Sequence, residues 1–193
     1  MPIFETVADH REFLDRLRRH LTRDRVLDDH WRPYAKLHDQ VSVLAYGLMR
    51  NHFHLVIHQQ VRDGVERLLQ RALNGYGKYF NRRTGQTGPL FGSRYKASLL
   101  ADDDPYRMKY AIAYTHLNDP ILQLDHPWTS HRIYMGEEKS DWVDVEAGLA
   151  LFGGRAGYVK YMNAEGPRIV RNKLKARGLD KDPTLAYRPI TES

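Results

Sequence analysis

The chain has 193 residues, 41% of them hydrophobic, which suits one domain with an appendage and a buried core. It carries a net charge of +6 and no cysteine, so disulfides and thiolate metal sites are excluded, and any metal must be held by His, Asn, Gln or carboxylates, a set that leans to Mg²⁺ or Mn²⁺. No run approaches the roughly 20 apolar residues of a membrane span, and the N-terminus has no signal-peptide segment, so a cytoplasmic place is expected.

Phe13, Leu14, Leu17 and Leu21 recur at helical spacing, which predicts an amphipathic helix over 8–22. VSVLAYGL at 41–48 and the run 52–57 have strand composition, and the short Met49-Arg50-Asn51 link between them predicts a β-hairpin. Val65, Leu68, Leu69, Ala72, Leu73, Tyr76, Tyr79 and Phe80 predict a long helix over 63–81. TGQTG at 84–88 with Pro89 is a loop, and RYKASLL at 94–100 reads as a further strand. Asp104-Pro105 is a helix start, and Asn118-Asp119-Pro120 stops that helix near Leu117. A turn-rich HPWTSHRIYMG follows, then an aromatic and acidic segment at 142–152, and a basic tail beyond about 165 expected to be ordered only in part. The order α-ββ-α-β-α predicts an α+β domain with helices packed on one face of a small antiparallel sheet.

NHFHLVIH at 51–58 is the most unusual stretch. On a strand His52, His54 and Val56 share one face, while Phe53, Leu55 and Ile57 form the other, apolar one. Two imidazoles so placed can reach one ion, although a His-x-His alone is a weak signal and equally fits a solvated strand face. Tyr114 and Asn118 are i and i+4 on the later helix and project from one side of it. Together, two histidines and an amide oxygen suit a divalent cation, and the phenol suits attack on a phosphorus polarised by that cation. Cationic residues gather at Arg71, Lys78, Arg82, Arg83, Arg94 and Lys96, interleaved with Tyr76, Tyr79, Phe80, Phe91 and Tyr95, a composition compatible with unpaired nucleic acid. A second basic group, Arg168, Arg171, Lys173, Lys175 and Arg177, lies in the tail.

MRNHFHLVI resembles the HUH motif of single-tyrosine transposases, and most nearly that of their REP-associated branch. YGKYFNRRTGQTGPLFGSRYKASLL, AYTHLNDP and HPWTSHRIYMG resemble further blocks of that family, in order, over roughly residues 3–135. The resemblance implies a ferredoxin-like or RRM-like sheet over 1–135, with 136–193 as a helical, basic extension. It implies a metal-dependent single-stranded DNA transposase or nickase acting through a 5′-phosphotyrosine, on hairpin or palindromic DNA, as a monomer or homodimer. By residue it implies Tyr114 as nucleophile, His52, His54 and Asn118 as ligands of Mg²⁺ or Mn²⁺, and Lys78, Arg82, Arg83, Arg94 and Lys96 on the DNA.

The chain departs from the family pattern in having no counterpart of the first strand, which should pair beside the histidine strand. It also reads Met-Arg-Asn-His and Asn-Asp-Pro where relatives commonly have Met-Pro-Asn-His and Asn-Pro. The rival implication is a domesticated relative that binds structured single-stranded DNA as a regulator without cutting it.

Overall fold

The computed structural model describes residues 1–92, 95–100 and 104–191. Helix α1 (Val7–Leu21) opens on a capping box, in which Thr6 Oγ1 accepts from the Asp9 amide and the Asp9 carboxylate accepts from the Thr6 amide. Phe13, Leu17 and Leu21 fall on one side of it and are buried. A capped start and an apolar stripe are what a short helix needs to hold against a sheet.

Strands β1 (Val41–Met49) and β2 (His52–Gln59) pair antiparallel, from Met49 opposite His52 to Val41 opposite Gln59. A bulge at Leu44 lets Val43, Tyr46 and Leu48 share one face despite their odd spacing. That face, completed by Phe53, Leu55 and Ile57, packs on α1 and on α2 (Gly64–Thr84). Ala45 and Val56 belong to the opposite face, which packs on α3 (Pro105–His116) and α6 (Arg155–Ala176).

Helices therefore cover both faces of the hairpin, not one as expected. The cause is visible in β1, whose near-continuous apolar run is buried along its length except at Ser42. The second expectation to fail is the strand at 94–100. The described residues 95–100 form none and are mostly exposed, with Leu99 95% exposed. The free edge of β1 is met instead by single bridges from Thr129 to Gly47 and from Val143 to Val43, so no ladder is left there for a third strand. The architecture shown is α+β with a two-stranded antiparallel sheet, and β2 has a strand partner on one side only among the described residues.

Two short helices, α4 (His131–Met135) and α5 (Val145–Ala150), lead into α6. The tail beyond about 165, expected to be ordered only in part, is helical to Ala176, because Ile169, Val170 and Leu174 extend the buried side of α6. Beyond it the chain folds back on the helix, with Asn163 bonded to both backbone groups of Ile190. No helix among the described residues is long and apolar enough to cross a membrane.

Candidate functional site

The β1–β2 turn at Arg50-Asn51 launches β2 with His52 as its first residue, and alternation puts His52 and His54 on the α3 side of the sheet. Their rings are perpendicular with centroids 5.2 Å apart. Helix α3 begins where the sequence predicted, with the Asp104 carboxylate accepting from the Arg107 amide and Pro105 in the first turn. It brings Tyr114 edge-on to His54, ring centroids 5.8 Å apart. Just past its end, Asn118 Nδ2 lies 2.9 Å from His52 Nε2. The four residues singled out in the sequence thus converge on one place.

A neighbour orients His52. Its Nδ1 is 2.8 Å from Asn51 Oδ1, which can only accept, so Nδ1 carries the proton and Nε2 presents a lone pair towards Asn118. That is the tautomer an imidazole needs to ligate through Nε2. Burial lowers the pKa of His52, and the charges of Lys173 and Arg177 add to the effect. His54 is pushed down to about 4, chiefly by burial, then by His52 and Lys173. Both rings are neutral at neutral pH.

Lys173, from the far end of α6, completes the cluster. Its Nζ is 2.5 Å from Asn118 Oδ1 and 3.3 Å from the centroid of the Tyr114 ring. An ammonium only donates, so this contact sets the Asn118 amide with oxygen to Lys173 and nitrogen to His52. Burial pushes Lys173 down to about 7, with the Arg177 charge contributing. By sequence Lys173 belongs to the second basic group, in the tail. A helical period through Tyr158, Val159, Met162, Ile169, Val170 and Leu174 would have put it on the buried stripe of α6 instead.

His116 points away from this cluster, as the helical phase required. Its Nδ1 is 2.8 Å from the Tyr158 hydroxyl and its Nε2 2.7 Å from Ser130 Oγ, while His131 Nδ1 meets the same Tyr158 hydroxyl at 2.8 Å. Ser130 Oγ in turn accepts from the Tyr46 amide. This buried net ties α3 to β1, α4 and α6, and so anchors the helix that carries Tyr114.

The basic residues fall elsewhere. Lys78 and Arg82 are exposed on α2, which packs on the sheet face opposite the histidines. Arg83 is exposed but paired, with Glu5 at 2.9 Å and with the fully buried Asp9 at 2.8 Å. Lys96 is exposed, and Arg94 lies outside the described residues. Tyr76 and Phe80 are fully buried, so neither can stack on a base; the Tyr76 hydroxyl donates to the Ile3 carbonyl at 2.5 Å.

Among the described residues no group of three or more His, Asp or Glu is placed to hold a metal, so a carboxylate does not join His52 and His54. A cleft of about 500 Å³ borders the cluster at Asp119, walled also by His10, Arg50, His126 and Trp128. No family model, no curated protein and no solved structure matches the chain.

Proposed function

We propose that the protein cleaves and rejoins single-stranded DNA through a covalent bond to Tyr114. The observation that carries this reading is the convergence of Tyr114, His52, His54 and Asn118, drawn from α3, β2 and the loop after α3, in a chain that resembles the single-tyrosine transposases. The Tyr114 oxygen attacks a backbone phosphorus and the bond from phosphorus to the 3′ oxygen breaks. The phenol gives up its proton and the departing 3′ oxygen gains one. The products are a 5′-phosphotyrosine and a 3′-hydroxyl, and the reverse attack by a 3′-hydroxyl rejoins DNA with no input of ATP, because the phosphodiester energy stays in the protein–DNA bond.

The Asn51-oriented tautomer of His52 and the neutral His54 fit a divalent cation with mixed nitrogen and oxygen ligands, and Asn118 Oδ1 is the third donor. His52, His54 and Asn118 would hold Mg²⁺ or Mn²⁺, which when bound supplies a Lewis acid to the phosphoryl oxygens. The buried net around His116 keeps α3, and with it Tyr114, in register with the histidine strand.

The test is covalent capture on hairpin oligonucleotides with single-stranded flanks, with and without Mn²⁺. The wild-type chain should form a denaturation-resistant adduct, and Tyr114→Phe should abolish it while keeping DNA binding. An adduct that persists in the Phe variant would remove Tyr114 from the role. The engagement of Asn118 Oδ1 by Lys173 favours a second reading, a DNA-binding relative that does not cut. Binding without any adduct in the wild-type chain would establish it.

A further inference from the structure

Two of the three proposed ligand atoms are already engaged by the protein's own donors. Asn118 Oδ1, the atom that would face a metal, accepts from the Lys173 ammonium at 2.5 Å, and the nitrogen of the same amide meets His52 Nε2 at 2.9 Å. The ring of Tyr114 closes the other side of the ammonium, 3.3 Å from its centroid. Lys173 is held there by α6, whose Val170 and Leu174, one turn behind it and next to it, are 1% and 4% exposed. A divalent ion on the same oxygen would stand against this ammonium, and among the described residues no carboxylate joins the two histidines to offset the repulsion.

We propose that Lys173 is a built-in competitor of the divalent cation: its ammonium fills the position bounded by Asn118, His52 and Tyr114, and the metal enters only as Lys173 leaves. The inference rests on reading His52, His54 and Asn118 as metal ligands. Binding at one site is then linked to docking at another. Whatever factor Lys173 takes from the metal's affinity, the metal takes from the seating of the end of α6. Entry also requires the Asn118 amide to turn its nitrogen away from His52, freeing that lone pair.

The experiment is Mn²⁺ binding to the full chain without DNA, followed by loss of the free-ion electron paramagnetic resonance signal. Lys173→Met keeps an unbranched, largely aliphatic side chain on α6 and removes the charge. It should bind Mn²⁺ at least about tenfold more tightly than wild type. Lys173→Arg should show no such gain, and the double variant H52A/K173M should lose it. Equal affinity in wild type and Lys173→Met, or no Mn²⁺ binding by either, overturns the proposal. A gain that survives His52→Ala overturns it too, since the ion would then sit elsewhere. Should Lys173→Met fold poorly, the wild-type chain still decides. Mn²⁺ should speed amide exchange over residues 169–176, and unchanged exchange at saturating Mn²⁺ overturns the competition. None of these readouts involves DNA cleavage, so loss of the covalent reading and loss of this one are separate outcomes.

Discussion

Gly47 lies so close to Thr115 that a Cβ built on it would stand 2.6 Å from the Thr115 carbonyl oxygen. Gly47 is opposite His54 in the hairpin, and Thr115 follows Tyr114 on α3. This contact therefore sets the spacing between the histidine strand and the helix bearing the proposed nucleophile. Real side chains do not tolerate so short an approach, so Gly47→Ala must push α3 off β1. The expected cost is about 1–3 kcal/mol in thermal or urea unfolding, with covalent adduct down at least about tenfold and DNA binding little changed. Wild-type adduct yield from Gly47→Ala would show that the spacing is set elsewhere.

Asn51→Ala removes the acceptor that keeps the His52 proton on Nδ1. Nitrogen chemical shifts of His52 should then report a mixture of tautomers in place of one. Mn²⁺ affinity should fall by about 10–100-fold, as happens when the outer partner of a ligating histidine is removed. A single, unchanged tautomer in the variant would assign the orientation of His52 to Asn118 alone.

The basic residues of α2 divide by their partners. Arg83 is bound to the buried Asp9, whose carboxylate burial would raise but which the amides of Glu5 and Thr6, with Arg83, hold below the ordinary value. Arg83→Ala should therefore destabilise the fold by roughly 1–2 kcal/mol, since the buried Asp9 keeps its two amide donors but loses its counter-charge. The double change K78A/R82A should leave the melting temperature nearly unchanged. It should lower single-stranded DNA affinity and flatten its dependence on salt by about one to two counterions. An unchanged salt slope would take Lys78 and Arg82 off the DNA.

Acid should destabilise this protein early. His131 is 6% exposed, and burial pushes it down to about 4. His116, wholly enclosed, is also held well below the ordinary imidazole value by the same cause and by the nearness of His131. The unfolded chain takes up these protons from about pH 6.5 downward while the folded chain refuses them, so stability falls from about pH 6.5 until His131 titrates in the fold near pH 4. For His131 alone the shift corresponds to roughly 3 kcal/mol. Urea midpoints should fall steadily over that window. His131→Asn should start lower at pH 7, with the Tyr158 hydroxyl short of a partner, and decline less steeply. An unchanged slope in that variant would place the acid sensitivity in other histidines.

Much of the fold and the site was legible in the chain itself. The stripe of Phe13, Leu17 and Leu21, the hairpin around Met49-Arg50-Asn51, and the Asp104-Pro105 start all formed within a residue or two of where they were expected. These are local properties, fixed by helical period, strand alternation and the capping of free amides. The same locality put His52 and His54 on one face and separated Tyr114 from His116. It failed over the described residues 95–100, where strand composition found no partner edge, and it did not bring out the buried stripe of α6 within the basic tail.

The sequence by itself determined which side chains could do chemistry and which way each would point from its own element. Only the tertiary structure decided that helices cover both faces of the hairpin and that α6 delivers an ammonium to Asn118. The His52–Asn118 contact spans 66 residues and the Lys173–Asn118 contact spans 55. Contacts of that separation depend on which apolar faces meet when the elements pack, and no local period encodes that pairing.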